Sequence, residues 1–133
     1  MLLVRTYLAP SPIHGIGCYA SQFIAAGTPV WRFVPCFDQL LHPSFCREMC
    51  DPQFIEKYAQ LCPLTGYWLL CADEARYINH DADAPNLGAA VPLADPTRTD
   101  RALRDIDAHE EITCNYEIGD VQPYAGFRER VAA

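Results

Sequence analysis

The sequence predicts a mainly β domain with a small helical insert. Three features carry that expectation. Eleven prolines and seven glycines are spread through 133 residues and cut the chain into short segments, which suits strands better than long helices. Several of those segments are apolar runs or alternate apolar with polar residues, as buried and half-buried strands do. Helical periodicity is confined to the middle of the chain, near residues 43–62.

In chain order, Leu2 to Leu8 (LLVRTYL) reads as a strand, and Pro29 to Val34 (PVWRFV) as another, opened by a Gly27-Thr28 turn. Pro43 and Pro52 occupy first helical positions, where a missing N–H costs nothing, and Asp51 is a good N-cap before Pro52. From there Phe54, Ile55, Tyr58 and Leu61 share one helical face, with Glu56, Lys57 and Gln60 opposite. Tyr67 to Ala72 is an apolar run typical of a buried strand. Near the end, Ile112, Cys114 and Tyr116 alternate with Thr113 and Asn115, as on a half-buried strand.

Length suits one compact domain, and half of the residues are apolar, enough for an ordinary core. No run approaches the roughly 20 apolar residues that span a bilayer. Arg5 and Pro10 interrupt the start where a secretory leader would continue its apolar stretch, which argues against secretion. The formal charge of -7 repels phosphate backbones, so direct nucleic-acid binding is not expected; it suits a Lys- or Arg-rich protein partner. Seven cysteines, an odd number with no CxxC pair, fit a reducing compartment, cytoplasmic or otherwise intracellular. His42, Cys46 and Cys50 recur every four residues and on a helix would share a face. They are a candidate for a soft metal, but three core residues beside a turn explain them equally simply, and no metal is expected.

Three segments carry candidate chemistry. In His14-Gly15-Ile16-Gly17, glycines at alternate positions let backbone approach a ligand with no Cβ in the way, although such a pair also makes an ordinary turn. Arg76-Tyr77-Ile78-Asn79-His80, followed by Pro85-Asn86, offers an Asn-His pair with side-chain and peptide hydrogen-bonding groups; alone it is also compatible with buried polar residues that satisfy loop backbone. Glu110-Glu111-Ile112-Thr113-Cys114-Asn115-Tyr116 reads by itself as a polar turn entering a strand.

In this order, the three segments resemble the SET domain of protein lysine methyltransferases, over roughly residues 3–118. That family has a GxG segment, an R-[FY]-x-N-H segment followed by Pro-Asn, and an E-E-[IL]-T-x-x-Y segment near its end. The resemblance implies small curved β-sheets with a pseudo-knot, in which the Asn-His segment and the final tyrosine segment cross. Residues 36–62 would be the variable helical insert, and 119–133 a C-terminal tail. It also implies methyl transfer from S-adenosylmethionine to the amine of a lysine in a basic protein. The donor would be held by His14, Gly15, Ile16, Gly17, Arg76, Asn79 and His80. The Asn79 side chain would take its amino-acid end, and His80 its adenine through peptide groups. Tyr116 would be the catalytic channel tyrosine. The strand Tyr67 to Ala72, with Trp68 and Leu70, would pair with the substrate peptide, beside Cys114; Tyr124 or Phe127 could cover the site, or simply pack the tail.

This chain departs from the family pattern in three places. Four residues, not three, separate Asn-His from Pro-Asn, and Asp81 stands where a serine is usual. No cysteine follows Cys114, so the C-terminal zinc cluster of many relatives cannot form. Cys114 itself, often Phe or Tyr in the family, and Ala89 leave room beside the target amine, which favours di- or trimethylation. The resemblance to small stand-alone members is compatible with a homodimer. A rival expectation is a SET-fold binding protein that holds a partner or the donor without turnover; donor binding without transfer would separate the two.

Overall fold

A computed structural model describes residues 1–49, 51–62, 66–88 and 99–117. The strands are short and fall into three sheets, as the density of Pro and Gly predicts. Strands β1 (Thr6–Pro10) and β2 (Ile16–Ala20) form an antiparallel hairpin, with Pro10 opposite Ile16 around the HGIG turn. Strand β3 (Pro29–Arg32) opens the largest sheet. Strand β4 (Gln39–Leu41) precedes two helices, α1 (Pro43–Met49) and α2 (Pro52–Tyr58), and β5 (Ala59–Leu61) and β6 (Trp68–Leu70) follow them. A 3₁₀ turn at Glu74–Tyr77 leads into β7 (Asn79–His80). The chain then runs through β8 (Leu87–Gly88), β9 (Thr99–Ala102) and β10 (Thr113–Cys114). The five-stranded sheet has the order β3-β9-β8-β10-β7, and β4-β6-β5 make a separate sheet at the insert. Among the described residues, no helix is long and apolar enough to cross a membrane.

The insert forms where expected and is shorter than the periodicity implied. Asp51 caps α2 by accepting the Gln53 N–H at 2.9 Å. The helix ends at Tyr58 because Ala59 turns extended after its N–H closes on Ile55, and β5 then pairs with β6. Leu61 therefore sits on a strand, 42% exposed, and of the predicted apolar face only Ile55 is fully buried. The first strand starts at Thr6 rather than Leu2; Leu2 instead makes an isolated bridge to Trp31. The core gathers Cys18, Val30, Leu87, Ile106 and Ile112 between the hairpin and the large sheet.

The expected crossing of segments is present. Strand β10 runs parallel to β7 on one side and to β8 on the other, so the chain near its end threads between two strands joined by the 81–86 loop. Thr113 is buried together with Ile112, where the alternation had implied a half-buried strand. Asn86 locks this crossing. Its side chain donates to the Glu111 carbonyl at 2.8 Å and accepts the Thr113 N–H at 2.9 Å, doing for β10 what a neighbouring strand would do. Asn86 is 1% exposed, so truncation strands two buried backbone groups. Asn86→Ala should lower unfolding free energy by about 2–4 kcal/mol. Urea denaturation measures this directly, and a loss under about 0.5 kcal/mol would remove Asn86 from the lock.

Candidate active site

Beside the crossing lies a cleft of about 650 Å³. It is lined by the turn at Ile13, His14, Gly15 and Ile16, by the 3₁₀ turn with Asn79 and His80, and by Leu69, Cys71, Cys114 and Tyr116. Gly15 takes φ +48, in the left-handed region that glycine tolerates, and a Cβ there would meet nothing within 4 Å, so backbone is presented directly to the cleft.

The Asn79 amide is fixed. Its Nδ2 donates to Glu111 Oε1 at 2.8 Å, to the His14 carbonyl at 3.1 Å and to the Ile16 carbonyl at 3.3 Å. Among the described residues nothing hydrogen-bonds its Oδ1, leaving that oxygen as an acceptor beside the cleft. Gly17, expected to touch the donor, does not line the cleft. It is buried on β2, and a Cβ there would collide with the Glu111 carboxyl and come within 3.1 Å of Ser11 Cβ. The second glycine of the motif thus makes room for a carboxylate. Glu111 also accepts the Ser11 hydroxyl at 2.9 Å and the Tyr19 hydroxyl at 3.4 Å. The sequence reading passed over Glu111, Ser11 and Tyr19; the only hint was an acid beside the Ile-Thr strand, which a polar turn explained equally well.

Tyr116 is held at both ends. Its backbone N–H donates to His80 Nδ1 at 3.0 Å, which makes that ring nitrogen an acceptor, and its hydroxyl donates to the Ile78 carbonyl. The His80 and Tyr116 rings pack with centroids 5.2 Å apart. The His80 side chain therefore has a task the sequence did not reveal, since its expected role lay largely in its peptide groups. Burial pushes the Tyr116 phenol pKa well above its ordinary value, so the hydroxyl stays protonated. Burial also raises the Cys114 thiol and pushes the Cys71 thiol up to about 12. Both stay neutral and weakly nucleophilic.

The remaining expectations separate clearly. Arg76 lines the cleft, with Nε donating to the Cys71 carbonyl at 3.0 Å and its guanidinium 5.6 Å from the Tyr58 ring centroid. Trp68 and Leu70 do not line the cleft. Strand alternation turns Leu69 and Cys71 toward it instead. Nor can β6 take a peptide along Trp68–Leu70, because β4 and β5 already occupy both of its edges. Tyr124, Phe127, Ala89 and Cys50 lie outside the described residues. His42 caps α1, its Nδ1 accepting the Ser44 N–H at 3.1 Å. The extra residue after His80 is absorbed by Asp81, whose Oδ1 accepts the N–H groups of Asp83 at 2.9 Å and Ala84 at 3.0 Å. This turn bulges Ala82–Ala84 into solvent, while Asp81 N–H still reaches Cys114 O at 3.0 Å and keeps β7 in register.

Residues 15–117 match the SET domain family. The chain belongs to the SET-domain family. It is 29% identical over 123 residues to a Plasmodium falciparum protein named "Putative histone-lysine N-methyltransferase 1", covering 87% of this chain and 2% of that protein. Among solved structures it resembles the Chaetomium thermophilum polycomb repressive complex 2, with TM-score 0.60 and 26% identity over 90% of this chain and 16% of the other. That complex in an autoinhibited conformation bound to S-adenosylmethionine gives TM-score 0.59 and 21% identity over 97% of this chain and 16% of the other, a likeness of fold. The chain thus spans a small part of each of these relatives. The small sheets, the threaded β10 and the helical insert of this SET domain are the architecture the resemblance implied.

Proposed function

We propose that this SET domain transfers a methyl group from S-adenosylmethionine to the side-chain amine of a lysine in a protein substrate. The observation that carries the reading is the cleft in which the His14–Gly15 backbone, the free Asn79 amide oxygen and the Tyr116 hydroxyl meet. These groups suit the donor. An ammonium needs an acceptor, and Asn79 Oδ1 is one; Gly15 lets the rest of the molecule lie against bare backbone. When bound, the donor supplies an electrophilic methyl group on a sulfonium.

This chain's residues then position and exclude rather than act as acid or base. Tyr116, its proton given to the Ile78 carbonyl, keeps oxygen lone pairs for the partly positive hydrogens around the transferring carbon. The apolar lining disfavours an ammonium, so a target lysine, whose ordinary pKa is about 10.4, enters more readily as the neutral amine. Cys71 and Cys114, held as thiols, do not compete for the methyl group. With β6 closed to pairing among the described residues, β5 is an edge strand whose Ala59 and Gln60 line the cleft, and a substrate backbone can add there. The small Cys114 leaves space beside the amine for more than one methylation. The charge of -7 favours a basic protein substrate.

Asn79 tests donor binding. Asn79→Ala should weaken S-adenosylmethionine binding by about 1–3 kcal/mol in calorimetry, the cost of a lost bond to a charged group. Absence of any heat or melting shift with the wild-type chain at millimolar donor would contradict the reading.

A further inference from the structure

We infer that Glu111 is a positioning residue for the methyl donor, acting through the orientation of the Asn79 amide; the inference rests on the reading of the cleft given above. Glu111 does not line the cleft. It makes the shortest of the three bonds to Asn79 Nδ2, at 2.8 Å.

The two ends of an asparagine amide have nearly the same shape and opposite hydrogen-bonding character. Among the described residues, Nδ2 is bonded to three acceptors: the Glu111 carboxylate and the carbonyls of His14 and Ile16. Were the amide turned over, its oxygen would face three oxygens, and its NH2 would face the ammonium that the site is built to take. Of the three acceptors only Glu111 is charged, and bonds to a charged acceptor are roughly twice as strong as neutral ones. The carboxylate therefore does most to fix the sense of the amide.

Glu111 is itself held. Ser11 Oγ donates to its oxygens, at 2.9 Å to each, and accepts the N–H groups of Ile13 at 2.9 Å and His14 at 3.3 Å. One carboxylate thus couples the turn at His14 to the Asn79 amide, both of which line the cleft. Gly17 is the residue that admits it.

The test compares wild type, Glu111→Gln and Glu111→Ala by S-adenosylmethionine calorimetry, melting temperature and NMR of the ¹⁵N-labelled Asn79 side chain. Glutamine keeps an acceptor for Asn79, and its own NH2 can donate to the hydroxyl oxygen of Tyr19. Glu111→Ala should raise the donor Kd about tenfold and Glu111→Gln about threefold or less, the size of one neutral or charge-assisted hydrogen bond. The Asn79 NH2 hydrogens should exchange slowly in wild type and Glu111→Gln, and faster in Glu111→Ala. A lower melting temperature with unchanged donor Kd in both variants would make Glu111 merely structural and overturn the inference. If the wild type takes up no donor, the proposed function fails by itself. The NMR comparison then still decides whether Glu111 orients the amide, and unchanged Asn79 exchange in Glu111→Ala would refute that.

Discussion

Replacing Tyr116 by phenylalanine is expected to cut methyl transfer roughly 100-fold while leaving the domain folded, the scale on which misplaced reacting groups lose rate. The ring stays packed on His80, and the backbone N–H bond to His80 Nδ1 does not involve the lost atom. What disappears is the hydroxyl, and with it the contact to the Ile78 carbonyl and the oxygen offered to the transferring carbon. The stability cost should be about 1 kcal/mol, the usual net value of one such bond. Because burial raises the phenol pKa, wild-type activity should show no rise tracking a tyrosinate up to about pH 10, where an exposed tyrosine would titrate. Donor affinity should change little, since Tyr116 acts on orientation. Single-turnover rates with calorimetry in parallel would show this split, and a Tyr116→Phe variant with full rate would remove the residue from the mechanism.

The second large effect is expected at Gly17. A methyl group there overlaps the Glu111 carboxyl, and Ser11 Cβ leaves no room for it on the other side. The carboxylate must move, and with it the anchors of Asn79 Nδ2 and Ser11. Gly17→Ala should cost about 1–3 kcal/mol of stability, as overpacking does. Donor binding should weaken by at least as much as in Asn79→Ala. Gly15→Ala makes the contrast: it meets no atom within 4 Å but asks alanine for φ +48. Its penalty should be about 1 kcal/mol of backbone strain. Equal stability for Gly17→Ala and wild type would show that the carboxylate has slack the geometry denies it.

The two glycines show how far the sequence could be read. Both were visible as one motif, and both were given to the donor. Of the two, only Gly15 lines the cleft, because it sits in the left-handed turn before β2, whereas Gly17 lies on β2 itself, buried and on the face opposite Ile16. The partner that explains Gly17 is almost a hundred positions away, and nothing local to the motif announces it. The same limit applies to β6. Its apolar run was legible, and its pairing on both sides by β4 and β5 was not, so Trp68 and Leu70 were assigned to a peptide that has no edge to join. The caps and turns were legible where chemistry is local, as with Asp51 before Pro52. Asp81 shows the converse. It marks a departure from the family pattern in the loop after His80, yet its carboxylate closes the longer loop upon itself and leaves the crossing strands in register. Helix α2 was extended too far by periodicity alone, since Leu61 keeps the spacing of a face that ends at Tyr58.

The central claim is that this cleft moves a methyl group onto a protein lysine. Incubating the chain with isotope-labelled S-adenosylmethionine and a panel of basic proteins, then locating label by mass spectrometry, tests it most directly. The account predicts labelled lysine in at least one protein, reaching di- or trimethyl forms with excess donor, and label that falls sharply with Tyr116→Phe. Donor that binds, as calorimetry would show, but leaves every lysine in the panel unlabelled would contradict the claim and favour a SET-fold binding protein.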